Sequence, residues 1–396
     1  MKKSVFFDFL NRRIDSDFDS FLKSATIDDD YISWNEYLLP QHYGDPQMEY
    51  QAIRNSCAVF DVSPIRKFRI TGPAAARLMD HLFTRPVSPS PAMRGIYGVF
   101  CNEDGTLKDD AIVYKLAKDD YLLMPSDIDH SEHLSFLCGQ LGIGPDEVMV
   151  TECTAAWAGA ALQGPMSAIA VRAMGFEGVE TLEPFEVRRY GTGGEEVLVA
   201  RMGFTADLGY ECWVHREQQG EFQERIANAR TTAGLEIPGY GLMALESCRL
   251  EGGFIVAGWD FATEADPSPG FERNPYEVGL GWLVKLDGND FHGRSALIKK
   301  RETGHRHLLR TIQISSDHLP EDGAALYAVQ NGRDMQIGTI NCSAWSGMLN
   351  RVVGNASIDS ACSSVEQAWL ELGGERVDVV LGRGPHIDLP RRNQAP

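Results

Sequence analysis

The chain is 396 residues long, carries a formal net charge of −19 and is 43% apolar. At that length two or three domains with cores of their own are expected. The acidic balance offers no basic footprint for DNA or RNA and disfavours an anionic membrane surface, though a few local Arg or Lys residues could still hold a small anion.

Residues 1–30 read as a polar, acidic, peripheral extension ending in Asp28-Asp29-Asp30. Its apolar stretch Val5-Phe6-Phe7 is too short for a signal peptide, and no run reaches the roughly 20 apolar residues of a membrane helix. The eight cysteines include no C-x-x-C pair and most sit in apolar surroundings, which suits free thiols in a reducing, cytoplasmic compartment.

Residues 47–56 suggest a helix leading into an apolar strand, Ala58–Val62. One pattern then occurs twice: a β-rich run, Gly-Pro, and a helical run. The first copy is Lys67–Thr71, Gly72-Pro73, Ala74–Phe83; the second is Ala158–Gln163, Gly164-Pro165, Met166–Met174. Gly permits the turn and Pro is pre-set for the first helical position, so two related αβ units are expected. Between them lies a hairpin, Ile96–Cys101 and Leu107–Leu116 about Asn102-Glu103-Asp104-Gly105, then a strand at Tyr121–Met124 and a helix over Ile128–Leu137. Strands near 185–190, 195–202 and Leu208–His215 follow, with helices from Gln218 to about Ala229 and over Tyr240–Glu251. From about residue 305 onward short β runs form an all-β module.

Asp109 and Asp110 stand together in this hairpin although Asp is depleted in strands. Alternation sends one towards solvent and the other towards a core or cleft; pattern alone favours a strand-edge acid. Glu211 lies in Gly209-Tyr210-Glu211-Cys212-Trp213, where a buried carboxylate needs a partner and an exposed one does not. Gly239-Tyr240-Gly241 lacks the βαβ surroundings of a dinucleotide site. His130 with His133, and His305 with His307, lack further ligands and read as surface residues, so no metal site is expected. Arg249 and Glu251 read as ion-pair or capping residues.

The ordered set Ala58-Val59-Phe60-Asp61-Val62-Ser63, Thr71-Gly72-Pro73, Tyr97 to Gly105, Asp109 to Lys115, Gln163-Gly164-Pro165, Gly203-Phe204-Thr205, Gly209-Tyr210-Glu211, Cys248 to Glu251 and Asn274 to Leu280 resembles the glycine cleavage T-protein (aminomethyltransferase) superfamily over roughly residues 31–360. The resemblance implies an α+β, three-domain clover-leaf. Residues 1–62 and 151–300 would form a first, folate-binding αβ domain, 63–150 a second αβ domain of ferredoxin-like or split type, and 301–396 a small antiparallel β-barrel. It also implies tetrahydrofolate as cofactor, with Asp110 as the catalytic acid beside the transferred carbon, and Glu211, Tyr97, Asp110 and Phe204 around the folate. Ser63-Pro64-Ile65, Phe204 and Leu245 depart from the T-protein pattern and count against glycine cleavage itself, whereas Trp34 to Pro40, with Tyr50, Ile53 and Arg54, resembles the demethylase branch. That branch moves a methyl group from a small S-, N- or O-methyl donor to N5 of tetrahydrofolate. The alternatives are an aminomethyltransferase served by a lipoyl carrier protein and yielding 5,10-methylenetetrahydrofolate, or a non-catalytic folate-binding accessory protein.

Overall fold

The computed structural model describes residues 1–10, 30–191, 196–288 and 290–394. It is a mixed α and β structure with two five-stranded antiparallel sheets and a closed six-stranded barrel. The first sheet holds, in spatial order, Arg94–Cys101, Leu107–Ala117, Asp120–Pro125, Phe68–Thr71 and Met149–Glu152. The second holds Val187–Tyr190, Val197–Ala200, Gly209–His215, Trp157–Gln163 and Ala58–Asp61. Each sheet is covered on one face by two helices. In Phe68–Thr71 the alternation is simple: Phe68 and Ile70 are buried, Arg69 and Thr71 only in part. The following helix Ala75–Leu82 buries Ala75, Leu78, Met79 and Leu82, the i, i+3, i+4, i+7 stripe of an amphipathic helix.

The two Gly-Pro turns mark a real internal repeat. Gly72 (φ 120°) and Gly164 (φ 123°) share a backbone conformation that L side chains rarely adopt. A Cβ at either would lie 2.5 Å from a backbone carbonyl oxygen, of Glu147 in one case and of Ile53 and Ser56 in the other. The registers repeat as well. In the first unit Gly95 pairs with Tyr114, Tyr114 with Leu122, and Leu122 with Arg69. In the second Val187 pairs with Ala200, Ala200 with Glu211, and Glu211 with Ala161. The units meet edge to edge in matching bonds. The Gly95 amide donates to the Phe185 carbonyl at 2.7 Å, and the Val187 amide to the Met93 carbonyl at 2.9 Å. Met93 (φ 60°) and Phe185 (φ 64°) are the left-handed residues at this seam.

The uncovered faces of the two sheets enclose a shared core that includes Phe60, Tyr114, Leu122, Trp157, Leu198 and Trp213. Burying each aliphatic or Phe side chain contributes about 1.5–3 kcal/mol. The barrel runs His307–Ile314, Arg351–Asp359, Arg333–Ser346, Ala325–Gln330, Gln367–Leu372 and Glu375–Gly382, and closes on the first strand. Its interior is aliphatic, with Ile312, Ile337, Val352, Ile358 and Leu370 fully or almost fully buried.

The expectation of a peripheral N-terminal extension fails for residues 1–10. Phe6 is fully buried, packs edge-on against Phe222, and belongs to the core beneath the second sheet. Ser4 donates to the buried Asp61 carboxylate. Residues 11–29, including Asp28-Asp29, lie outside the described residues. Among the described residues no helix is long and apolar enough to cross a membrane, and no cluster of His, Cys, Asp or Glu could hold a metal ion. All eight cysteines are free thiols.

Candidate active site

The site begins at the long hairpin. Asp109 and Asp110 do point to opposite faces, but neither is an exposed strand-edge acid. Asp109 is fully buried on the helix side, where one carboxylate oxygen accepts from Ser126 Oγ at 2.7 Å, the Ser126 amide at 3.2 Å and His130 Nε2 at 2.8 Å. This corrects the surface reading of His130, which is only 1% exposed. His133, its neighbour one helical turn on, is half-buried against Phe100.

Asp110 is half-buried on the inter-sheet face and accepts from Tyr97 Oη at 2.8 Å. Burial pushes its carboxyl up to about 7, the charge of adjacent Asp109 adds to the rise, and the Tyr97 hydroxyl opposes it. Burial also lifts the Tyr97 phenol well above its ordinary value, so it stays a donor.

Glu211 approaches from the other sheet and is only 8% exposed. Its Oε2 accepts from Tyr114 Oη at 3.1 Å, and Tyr114 Oη in turn accepts from Trp213 Nε1 at 3.3 Å. Burial raises this carboxyl to about 7 too, against the opposing pull of the Tyr114 and Trp213 donors and the Lys67 charge. Asp110, Ile112 and Tyr114 alternate onto one face of their strand. Asp110 and Glu211 therefore address one space between the sheets, with ~13 Å of strand between the α-carbons of Asp110 and Tyr114.

Phe204 is 38% exposed and stacks on Phe254 with centroids 5.2 Å apart. It follows Gly203, where a Cβ would sit 1.9 Å from the Gln163 side chain. Its described ring contact is Phe254, not either acid.

Buried ion pairs brace the surrounding elements. Arg54 binds Glu251 at 2.6 Å and Asp207 at 3.1 Å, and Arg391 from the C-terminal tail binds Asp207 at 2.6 Å. Ser346 of the barrel and Tyr50 donate to Glu251. Arg249 pairs with Asp260 and Glu246 rather than with Glu251. Tyr114, Trp213 and Lys67 escaped notice in the sequence. Only the i, i+4 spacing of Tyr114 from Asp110 could have flagged the first.

Comparison with known proteins agrees with this architecture. Residues 30–288 match the family described as the GCVT N-terminal domain. The aminomethyltransferase of Thermotoga maritima is 28% identical over 358 residues, 90% of this chain and 92% of that protein. The trimethylamine-oxide aldolase of Ruegeria pomeroyi is 30% identical over 378 residues, 92% of this chain but 45% of that longer protein. The crystal structure of glycine cleavage system aminomethyltransferase T from Bartonella henselae superposes with a TM-score of 0.79 at 18% identity, covering 98% of both chains, a likeness of fold. With its family match spanning both αβ units, the chain belongs to the GCVT family.

Proposed function

We propose that the chain binds tetrahydrofolate between its two sheets and moves a methyl group to N5 of that cofactor from a small S-, N- or O-methyl donor. The observation that carries this reading is the pair of desolvated carboxylates, Asp110 and Glu211, facing one inter-sheet space. A buried carboxylate is costly unless it is paired or hydrogen-bonded. Tyr114 donates to Glu211 Oε2, and the Trp213 indole N–H also acts on this carboxylate. Its other oxygen suits a ligand edge rich in N–H donors, such as a pterin ring. The residues present therefore fit the group.

When bound, tetrahydrofolate supplies the nucleophilic N5 that accepts the carbon. The protein's part is positioning and charge. Glu211 orients the ring edge, and the apolar inter-sheet walls exclude water. Asp110 holds or releases a proton near neutrality, as its raised pKa of about 7 allows, and as a fixed anion it stabilises positive charge on the transferred group. Tyr97 keeps its carboxylate in one orientation.

The test combines purified protein, tetrahydrofolate and a panel of sulfonium, betaine and methoxy donors, with folate products followed by mass spectrometry. A 5-methyl product from a small donor is expected. The aminomethyltransferase reading is favoured by relatives that match over 92% of their own length. A 5,10-methylene product formed only with a lipoylated carrier would establish it instead. Bound folate with no product in either arm would leave an accessory role.

A further inference from the structure

Lys67 is a fully buried lysine that the proposed chemistry does not use. Lysines are almost never buried unless something holds the charge. Two ammonium hydrogens are taken by backbone, with Nζ donating to the Ser63 carbonyl at 3.0 Å and the Ile65 carbonyl at 2.6 Å. Nζ also stands 4.6 Å from the centroid of the Trp213 ring, within cation–π range. Gly159 makes room for that ring, since a Cβ there would lie 2.2 Å from it. The far end of the same indole donates to Tyr114, and Tyr114 reaches Glu211.

The Tyr114 hydroxyl has one proton and two acceptors at 3.1 Å, Glu211 Oε2 and Met202 Sδ. An ionised carboxylate wins that proton over a thioether. A cation on the indole face makes the indole N–H a better donor, which makes the Tyr114 O–H a better donor in turn.

We propose that Lys67 is a positioning residue for Glu211: its ammonium, seated on Trp213, holds the Trp213–Tyr114–Glu211 chain in the arrangement that keeps this carboxylate ionised and its other oxygen ready for the ligand. The proposal rests on the reading of Glu211 as the ligand-binding carboxylate.

The charges around the pair are few. Burial lowers the Lys67 pKa to about 7, against the opposing pull of Cys153, Asp61, Glu152 and Glu211 around it. Around Glu211 stand Lys67, Tyr114 and Trp213, and the charge of Glu211 reaches Cys212 and Tyr240. Burial holds the Cys212 thiol and the Tyr114 and Tyr240 phenols in their protonated forms near neutrality. Lys67 and Glu211 are thus the two partners of opposite charge in this pocket that change together near neutrality.

Binding of tetrahydrofolate to the purified full chain, followed by calorimetry from about pH 6 to 9, tests the coupling. Wild-type affinity is expected to rise through about pH 7. Lys67→Met is expected to bind about tenfold more weakly near pH 6.5, the effect of a rise of about one unit in the Glu211 pKa. The two curves should converge by about pH 9, where Lys67 has lost its charge and Glu211 is ionised regardless. In a Glu211→Gln background, Lys67→Met should change nothing further. A loss from Lys67→Met that is equal at every pH, or that persists in the Glu211→Gln background, would mean a purely structural lysine and overturn the proposal. So would an unchanged curve beside a weakened Glu211→Gln. A Glu211→Gln variant that binds as well as wild type would sink the reading of Glu211 itself, and the proposal with it. Should Lys67→Met fail to fold, ¹³Cε NMR of Lys67 decides by reciprocity. Its titration midpoint must fall in Glu211→Gln, and an unmoved midpoint refutes the coupling.

Discussion

In the first αβ unit the hairpin strands run eight and eleven residues; their counterparts in the second run four and four. The matched registers place Tyr97 opposite the role of Arg189, and Asp110 opposite that of Glu196. In the first unit these positions hold a tyrosine–carboxylate hydrogen bond facing the cleft; in the second they hold an Arg189–Glu196 ion pair on the outside, at 2.9 Å. The same comparison sets Leu122, an inter-sheet core residue, against Glu211. Each unit thus breaks the repeat once: the first by lengthening a hairpin until its acid is covered, the second by putting a carboxylate where its twin has leucine. The proposed site carboxylates lie where the repeat fails; the fold lies where it holds.

The comparison can be broken at several points. Asp110→Asn removes the acid without removing its shape and should lower turnover by about 10²–10⁴-fold, while the melting temperature at neutral pH does not fall. Leu122→Glu, which would give the first unit a carboxylate at the equivalent place, should destabilise the protein by about 3 kcal/mol or more in denaturant titrations, because Tyr114 already serves Glu211. Glu211→Leu, which restores the repeat, should weaken tetrahydrofolate binding by roughly 10–100-fold yet stabilise the ligand-free protein by about 1–3 kcal/mol. Opposite signs in the two assays are the signature.

The pH dependence sharpens the same point. Asp110 and Glu211 have folded-state pKa values of about 7, above their unfolded values. The folded chain therefore binds protons more tightly than the unfolded one. These two groups favour folding in full below about pH 4, and their contribution is lost as pH rises towards and through about 7. Asp110→Asn and Glu211→Gln should each flatten that decline in thermal scans, by about 1–2 kcal/mol for the partly buried Asp110. The smallest effect is expected at the seam. Met93→Gly and Phe185→Gly relieve a left-handed backbone and lose packing, so each should stay within about 1 kcal/mol of wild type in melting experiments.

Local chemistry explains what the sequence reveals. Gly-Pro pairs, a turn of Asn-Glu-Asp-Gly and alternating strands are local signals, and they located the repeat, the hairpin and the barrel strands. The pairing of Asp110 with Tyr97 spans a single hairpin and was within reach. Tyr114 with Glu211 joins two sheets, and no local pattern encodes that meeting. Lys67 and Phe6 mislead for opposite reasons: a lysine is ordinarily outside, and a phenylalanine in an acidic terminus has no periodic neighbours to announce its core. His130 looks solitary in the sequence because its partner, Asp109, lies 21 residues earlier on a strand beneath the helix.

The edge-to-edge seam, with its paired left-handed residues, is the kind of contact two identical molecules make about a twofold axis. In such a pair every mutation arrives twice, so a carboxylate at the place of Glu211 would also stand at that of Leu122, and a tyrosine at the place of Tyr114 would also stand at that of Ala200. Joined in one polypeptide, the halves are free to vary one at a time. That freedom lets a symmetric scaffold carry an asymmetric pocket.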